Sequence, residues 1–254
     1  MPWSPAQYVK FEDERTRPAR DLVARIPNEA VTGAADLGCG PGNSTEVLLE
    51  RHPSASVVGL DSSPDMIAAA RKRLPGVAFE VADIEGWRGE GFDVILANAV
   101  LQWIPGHETL LPTLIAKLNR GGSLAVQMPD NLDEPSHRLM REVAADGPWA
   151  GKLGQASLAR EPRRGADGYF RLLRAHAARV DLWRTTYFHA LASARAVVEW
   201  FKGTGLRPFL EPLGPPERVA YLAAYEAAIA RAYPSEADGT LLLPFPRLFF
   251  IATV

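Results

Sequence analysis

Only one cysteine, Cys39, occurs in the 254 residues. That excludes a disulfide framework and any zinc site built on several thiolates. A reducing, cytoplasmic compartment is the expectation. Nowhere do about eighteen apolar residues follow one another, so no membrane-spanning helix is predicted. The opening "MPWSPAQYVKFEDERTRP" mixes early charges with aromatics and lacks the apolar run of a secretory signal. Charge of either sign is nearly absent in the balance: 28 Lys and Arg against 30 Asp and Glu leave a net -2. Nucleic-acid binding normally leaves a basic footprint, and there is none. A small metabolite fits this balance; neither nucleic acid nor membrane is expected as a partner, and no protein partner is implied. The five histidines, His52, His107, His137, His176 and His189, have no metal-ligand spacing and no acidic neighbours to complete a site. No metal is expected.

What the chain does have is alternation. Short apolar runs at 34–37, 56–61, 77–83, 92–98 and 123–128 read as strands bounded by Gly, Pro, Asn or Asp. Between them, 43–51, 64–73 and 107–118 carry helical spacing of apolar residues. Asn43, with Glu46 three residues on, reads as a capping box, and Ser63 as an N-cap followed by Pro64 at the first helical position. Such alternation predicts right-handed crossovers and a doubly wound, mostly parallel α/β sheet. One domain over 1–254 is expected, with an N-terminal helical cap over 1–30 that could fold over the cofactor cleft. The polar, glycine- and proline-broken stretch 131–168 is too long for an ordinary connection and reads as an inserted lid with some helix. Strands at 180–190 and 248–254 follow, with helices at 194–203 and 217–232 between them.

The chemistry concentrates in "ADLGCGPGNST", where Gly38, Gly40 and Gly42 separate a strand from a helix. Position 43, where the dinucleotide fingerprint G-x-G-x-x-G needs its last glycine, is Asn. A P-loop would need a lysine that is also missing. Three acids stand at or near successive strand ends: Asp36 before the turn, Asp61 ending the second strand and Asp83 ending the third. A pyrophosphate would be repelled there, while the Asp61 position is one from which a carboxylate binds ribose hydroxyls. Asp36 is expected to meet a cationic group directly or through water. Acids without a compensating lysine suit a ligand with ribose, adenine and an ammonium or sulfonium group, as in S-adenosylmethionine. Cys39 reads as a small buried residue.

Taken together, "ADLGCGPGNST", "GLDSSPDMI", "VADI" and "FDVILANAVLQWIP" resemble the successive motifs of the class I S-adenosylmethionine-dependent methyltransferases. The resemblance implies a Rossmann-like seven-stranded sheet whose last strand runs antiparallel. It also implies S-adenosylmethionine as cofactor, with Asp61 on the ribose and Asp83 and Ile84 at the adenine. Ser62 and Met66 belong to the same second motif, while Asp36, the three glycines and Asn98 lie along the methionine half. Motifs outside that site ("WSPAQYVKFEDERTRPARDLVARIP", "LAVQMPDN", "VDLWRTTYFH", "TGLRPFL", "FPRLF") resemble members that methylate a carboxylate of trans-aconitate to its monomethyl ester. Another small carboxylic acid, an acyl thioester carrying a free carboxylate, or cofactor binding without catalysis remain alternatives on these residues.

A carboxylate is ionised at neutral pH, so it needs no general base, and no catalytic acid or base is expected. Arginines should hold the non-reacting carboxylates, because a guanidinium on the attacking one would blunt it. Arg15, Arg184 and Arg247, the last placed just before the final strand, are the candidates. Tyr8, Phe11, Trp103, Trp183, Tyr187 and His189 are candidates to wall the substrate or donate hydrogen bonds to it.

Overall fold

A computed structural model of the protein describes residues 12–156 and 164–254. Helix α1 (Glu12–Val23) leads into strand β1 (Gly33–Leu37), helix α2 (Asn43–Arg51), β2 (Ser56–Asp61), α3 (Pro64–Arg73), β3 (Ala78–Val81) and β4 (Phe92–Asn98). A single 3-10 turn (Leu101–Trp103), α4 (His107–Ile115) and β5 (Leu118–Pro129) follow. Then come α5 (Pro135–Ala145), α6 (Ala150–Leu153), α7 (Ala166–Arg174), β6 (Arg179–Leu191), α8 (Ala194–Lys202), α9 (Arg207–Leu210), α10 (Pro215–Ala232) and β7 (Leu241–Thr253).

The sheet has seven strands in the order β3-β2-β1-β4-β5-β7-β6. β1 to β5 pair in parallel, whereas β7 runs antiparallel. The hydrogen bonds show the reversal. Val254 N–H reaches Gly122 at 3.0 Å, while Asp130 N–H reaches Pro246 at 2.8 Å, so numbers rise along β5 as they fall along β7. Strands buried on both faces should be continuously apolar, and Val94 to Ala97 of β4 are all fully buried.

Contacts divide the described chain into two compact units. The larger comprises 12–129, 164–185 and Leu248–Val254. Its core joins Leu37, Leu60, Ile95 and Val126 of the sheet to Leu111 and Leu114 of α4 and Tyr169 and Leu173 of α7. The smaller comprises 130–156 and Thr186–Arg247. There α5 is tied to α10 and its end by tyrosines: Tyr221 Oη donates to Met140 O and Tyr225 Oη to Ser136 O, both at 2.9 Å. Tyr233 Oη accepts the Ser136 N–H at 3.0 Å. Burial raises the pKa of all three phenols, which stay neutral. Of the described residues in 131–168, those up to 156 belong to the smaller unit and 164–168 to the larger. The part up to 156 packs with Thr186–Arg247, and Tyr169 of α7 stacks on Phe250 in the larger unit.

Several boundaries differ from the sequence reading. Gly42, not Asn43, caps α2, with φ 90° and no side-chain bond. The Asn43 amide instead donates to Thr16 Oγ1 at 3.0 Å, which ties α1 to the start of α2, and Glu46 pairs with Arg73 at 3.5 Å. No capping box forms because both of its side chains are engaged elsewhere. Ser63 does cap α3, accepting from Met66 N at 3.4 Å, with Pro64 next. β3 ends at Val81, so Asp83 lies two residues beyond it rather than on it. α4 stops at Ile115, and Leu118 already belongs to β5. β7 begins at Leu241, so Arg247 lies within the last strand rather than before it. Pro246 lacks an N–H but still supplies its carbonyl to the ladder, which is why proline does not end the strand there.

Asp93 fastens the start of β4 to the start of β1. One of its oxygens accepts from Thr32 N and Oγ1 at 2.7 Å each and from Gly33 N at 3.1 Å; the other accepts from Asn119 at 2.8 Å. Burial alone would push its pKa up, but the Asn119 amide and the Thr32 and Gly33 donors overcome it and hold it at about 2. Its stabilising contribution is thus fully present above the ordinary carboxylate range and is lost as pH falls through about 2. Asp93→Ala should cost about 1.5–3 kcal/mol, given the usual worth of hydrogen bonds to a charged group. The variant's urea midpoint should fall, with the gap from wild type closing as the pH is lowered.

Candidate active site

Strand order reverses between β1 and β4, which neighbour each other while their successors run to opposite sides. Ligands of open α/β sheets bind at the carboxyl ends of the strands beside such a reversal. Here those ends are the glycine turn after Leu37 and the segment after Asn98.

The turn is pinned by backbone. Cys39 N–H reaches Leu60 O at 2.8 Å, and Gly42 N–H reaches Cys39 O at 3.0 Å. Gly38 has φ 67°, and a Cβ there would stand 2.3 Å from Cγ2 of Val100. The two strand ends thus approach to a distance only glycine permits. Cys39 is buried against Ile67, Ala70 and Phe79, and burial raises its thiol pKa, so it is packing rather than a nucleophile.

Asp61 holds the turn from β2. Its Oδ2 accepts the Gly40 N–H at 3.0 Å and its Oδ1 the Ser63 N–H at 2.9 Å. Burial raises its pKa, opposed by those same two N–H groups. Each oxygen keeps a lone pair for a further donor. Ser62 beside it is exposed, and Met66 is buried on α3. Asp83 is exposed and accepts from Glu85 N at 3.2 Å, whereas Ile84 is buried in the main core.

Asp36 is buried beneath the first turn of α2, where Ser44 and Thr45 hydroxyls both donate to its Oδ2 at 2.7 Å. Its other oxygen, Oδ1, is buried without a hydrogen-bond partner among the described residues. Burial pushes the carboxyl up to about 7, opposed by the Thr45 and Ser44 hydroxyls and reinforced by Asp61.

After β4 the chain makes a bend that the sequence reading missed. Ala99 has φ 55°, uncommon for a residue with a Cβ. Its N–H donates to Gln127 O at 2.8 Å, and its carbonyl accepts from Gln102 Nε2 at 2.6 Å. The side-chain oxygens of Asn98 and Gln102, on either side of this bend, are both buried without a hydrogen-bond partner. Gln102 is not among the sequence candidates; it stands in the sequence as a lone amide in the otherwise apolar "VLQWI". Trp103, one residue on, is 38% exposed.

The substrate candidates separate. Tyr8 and Phe11 lie outside the described residues. Arg15 is half-buried on α1, next to the Thr16 that Asn43 anchors. Trp183 is engaged in packing within the larger unit. Its ring stacks on Phe249 (5.0 Å, 9°), and the Arg25 guanidinium lies 4.3 Å from its centroid. Arg184 is exposed. In the smaller unit Tyr187, His189 and Arg247 are all buried. The His189 ring lies 4.6 Å from Trp200 and 5.7 Å from Phe245, and the Arg247 guanidinium sits 4.7 Å over Phe245. Trp200 and Phe245, absent from the sequence candidates, complete this aromatic cluster. His107 starts α4 and bonds Tyr169 Oη at 2.8 Å and Leu101 O at 2.9 Å, a structural role.

The cradle fits a cationic, hydroxyl-bearing ligand. It offers the Asp61 carboxylate, and the buried oxygens of Asp36, Asn98 and Gln102 await donors. The hydrogen bonds on Asp36 and Asp61 come from hydroxyls and backbone N–H groups rather than from a lysine or arginine. A sheet of this order with such a cradle defines a class I S-adenosylmethionine-dependent methyltransferase.

Residues 34–122 match the family described as a methyltransferase domain. A trans-aconitate 2-methyltransferase of Methylobacterium nodulans is 58% identical over 251 residues, 98% of this chain and 97% of that protein. The crystal structure of the YcgJ protein from Bacillus subtilis shares the fold, with a TM-score of 0.61 at 10% identity over 93% of this chain and 98% of that one. So does phosphoethanolamine N-methyltransferase 2 of Haemonchus contortus, in complex with S-adenosylhomocysteine, with a TM-score of 0.56 at 14% identity, over 93% and 52% of the two chains. The chain belongs to the trans-aconitate 2-methyltransferase family.

Proposed function

We propose that the chain methylates a carboxylate of trans-aconitate with S-adenosylmethionine and releases the monomethyl ester. The observation that carries this reading is the 58% identity over 98% of the chain, well beyond the cofactor motifs that methyltransferases of many substrates share. The site's chemistry agrees with it. S-adenosylmethionine supplies a methyl group already activated on a sulfonium. The protein's task is therefore to bring a carboxylate oxygen in line behind that methyl group. Because the nucleophile is ionised without help, the site needs no general base. Positioning alone can supply roughly 7–11 kcal/mol of the barrier. Charge is lost as carboxylate and sulfonium become ester and thioether, so excluding water favours the step.

Gly38, Gly40, Asp61 and Asn98 are the residues we assign to holding the cofactor, with Met66, Asp83 and Ile84 toward its base. Gln102 joins them through its bond to the Ala99 carbonyl. For the substrate, Arg247 is the foremost candidate, because it is a buried guanidinium set among aromatic rings. Arg15 is the second, and the exposed Arg184 ranks below both.

The test is transfer of labelled methyl from S-adenosylmethionine to a panel of small acids. Base-labile label should appear on trans-aconitate. Arg247→Ala should raise KM for the acid roughly tenfold to hundredfold, as loss of a charged hydrogen bond predicts, with a smaller change in kcat. Arg15→Ala should act in the same direction. Cofactor binding without label on trans-aconitate would remove the substrate assignment.

A further inference from the structure

The cofactor cradle contains one group that the reaction as described does not use. Asp36 is fully buried, it satisfies one oxygen with two hydroxyls, and it leaves the other without a partner among the described residues. An ionised carboxylate in that state is costly, and the usual relief is a cation or a proton. The charges bearing on it come from few directions. From β2 the Asp61 carboxylate adds a second negative charge, and from the glycine turn comes the buried Cys39 thiol. β4 presents Leu96 opposite it in register, and α2 presents the neutral Ser44 and Thr45. Nothing in this set supplies the missing positive charge.

We propose that Asp36 is the specificity residue by which the cradle tells the charged methyl donor from its spent product. It loses a proton to solvent when S-adenosylmethionine binds and regains one once the sulfonium charge is gone. This rests on the cofactor assignment above and goes beyond it. The two ligands share the methionine ammonium and carboxylate and differ by the methyl group and the sulfonium charge. Methyl transfer therefore removes one positive charge from beside a pair of carboxylates. With the donor bound, ionised Asp36 is matched by the sulfonium together with the shared ammonium; with the product bound only the ammonium remains, and the protonated form is restored. The proton balance is one released on donor binding and one taken up after methyl transfer, with the product still in the cradle, and no other bond is made or broken at Asp36. A carboxyl held near 7 by its burial is poised for such an exchange under ordinary conditions. Were it held near 4, it would stay ionised throughout and could not discriminate.

Isothermal titration calorimetry on the full chain tests this, with each ligand titrated near pH 7 in phosphate and in Tris. Those buffers differ widely in ionisation enthalpy, so the difference between them counts protons. S-adenosylmethionine should release a sizeable fraction of one proton and S-adenosylhomocysteine markedly less. Protonation of the shared amino group cancels in the comparison. Donor affinity should strengthen about tenfold from pH 6 to pH 8, the change expected if only the ionised form is competent, and product affinity should change less than twofold. Asp36→Asn should abolish the extra proton release and flatten the donor profile. Should that variant fail to fold, Thr45→Val serves. Losing one hydroxyl donor should move the midpoint of the donor profile to higher pH. Equal proton release by the two ligands, an excess that survives Asp36→Asn, or a midpoint unmoved in Thr45→Val would each overturn the proposal. Failure of both ligands to bind would instead overturn the cofactor assignment.

Discussion

Gly38→Ala should abolish detectable binding of S-adenosylmethionine. Two costs combine at this position. The added Cβ would sit 2.3 Å from Cγ2 and 2.5 Å from Cβ of Val100, both on a short branched side chain that cannot swing away. The backbone φ of 67° adds left-handed strain for any residue with a Cβ. Overpacking costs roughly 1–3 kcal/mol and the left-handed conformation roughly another 1–2. The chain's cheapest relief is to move the turn, and moving the turn dismantles the cradle. Affinity should fall by more than about a hundredfold, with a smaller loss of thermal stability, since a local shift of the turn can be absorbed without unravelling the core. Calorimetry measures the first and a melting curve the second. The second-site variant Gly38→Ala with Val100→Ala isolates the cause. It should recover part of the lost affinity, because the clash is relieved while the φ strain stays. No recovery at all would show that the approach of the two strand ends is not what the glycine serves.

The next largest effect is expected at Asp61. Its carboxylate is the acceptor for Gly40 and Ser63 N–H groups as well as the one assigned to the ribose. Asp61→Ala therefore removes a ligand contact and leaves two backbone donors of the turn without their partner. A hydrogen bond to a charged group is worth about 1.5–3 kcal/mol, and stranded donors add to the loss. KM for S-adenosylmethionine should rise at least roughly a hundredfold. Under saturating cofactor kcat should recover much of its value, since the contact holds ground state and transition state alike. Asp61→Asn is the sharper variant. Its oxygen can serve one N–H, but its amide nitrogen would oppose the other, so it should fall between wild type and alanine. Wild-type KM in Asp61→Asn would separate the carboxylate from cofactor binding altogether.

Much of this architecture was legible in the sequence, and the reasons are local. The alternation of "SVVGLD" and "FDVILAN" with helical spacing sets strand, helix and crossover before any tertiary contact enters. Ser63-Pro64 caps α3 as its residue types require. What failed were places where a distant contact outbids a local preference. Asn43 has the composition of a cap, yet Thr16 on another helix claims its amide, and Gly42 caps without a side chain. The Ser44 and Thr45 hydroxyls in the first turn of α2, which hold one oxygen of Asp36, belong to the same kind of contact. The stacking of Trp183 on Phe249 and its contact with Arg25 are likewise distant contacts that its motif does not report. The positive φ of Ala99 has no signature in an alanine, and Gln102 was hidden within an apolar run. Trp200 and Phe245 joined His189 through packing that no spacing rule reports.

The place of β7 in the sheet has a consequence for how the protein is made. β6 lies at the sheet's edge, and its neighbour there is β7, which lies between it and β5 and is translated only after α8, α9 and α10. As the chain leaves the ribosome, β5 and β6 emerge with a strand-wide gap between them that no residue yet made can fill. During that interval β6 offers unpaired edges to any other chain, Phe188 among its exposed residues. Completion of the sheet is thus a late event of long sequence separation, and the slow step of folding should fall there. A nascent chain stalled before Leu241 would lack Leu248, Phe250 and Ala252, which share one core with the β1 and β4 residues behind the cradle.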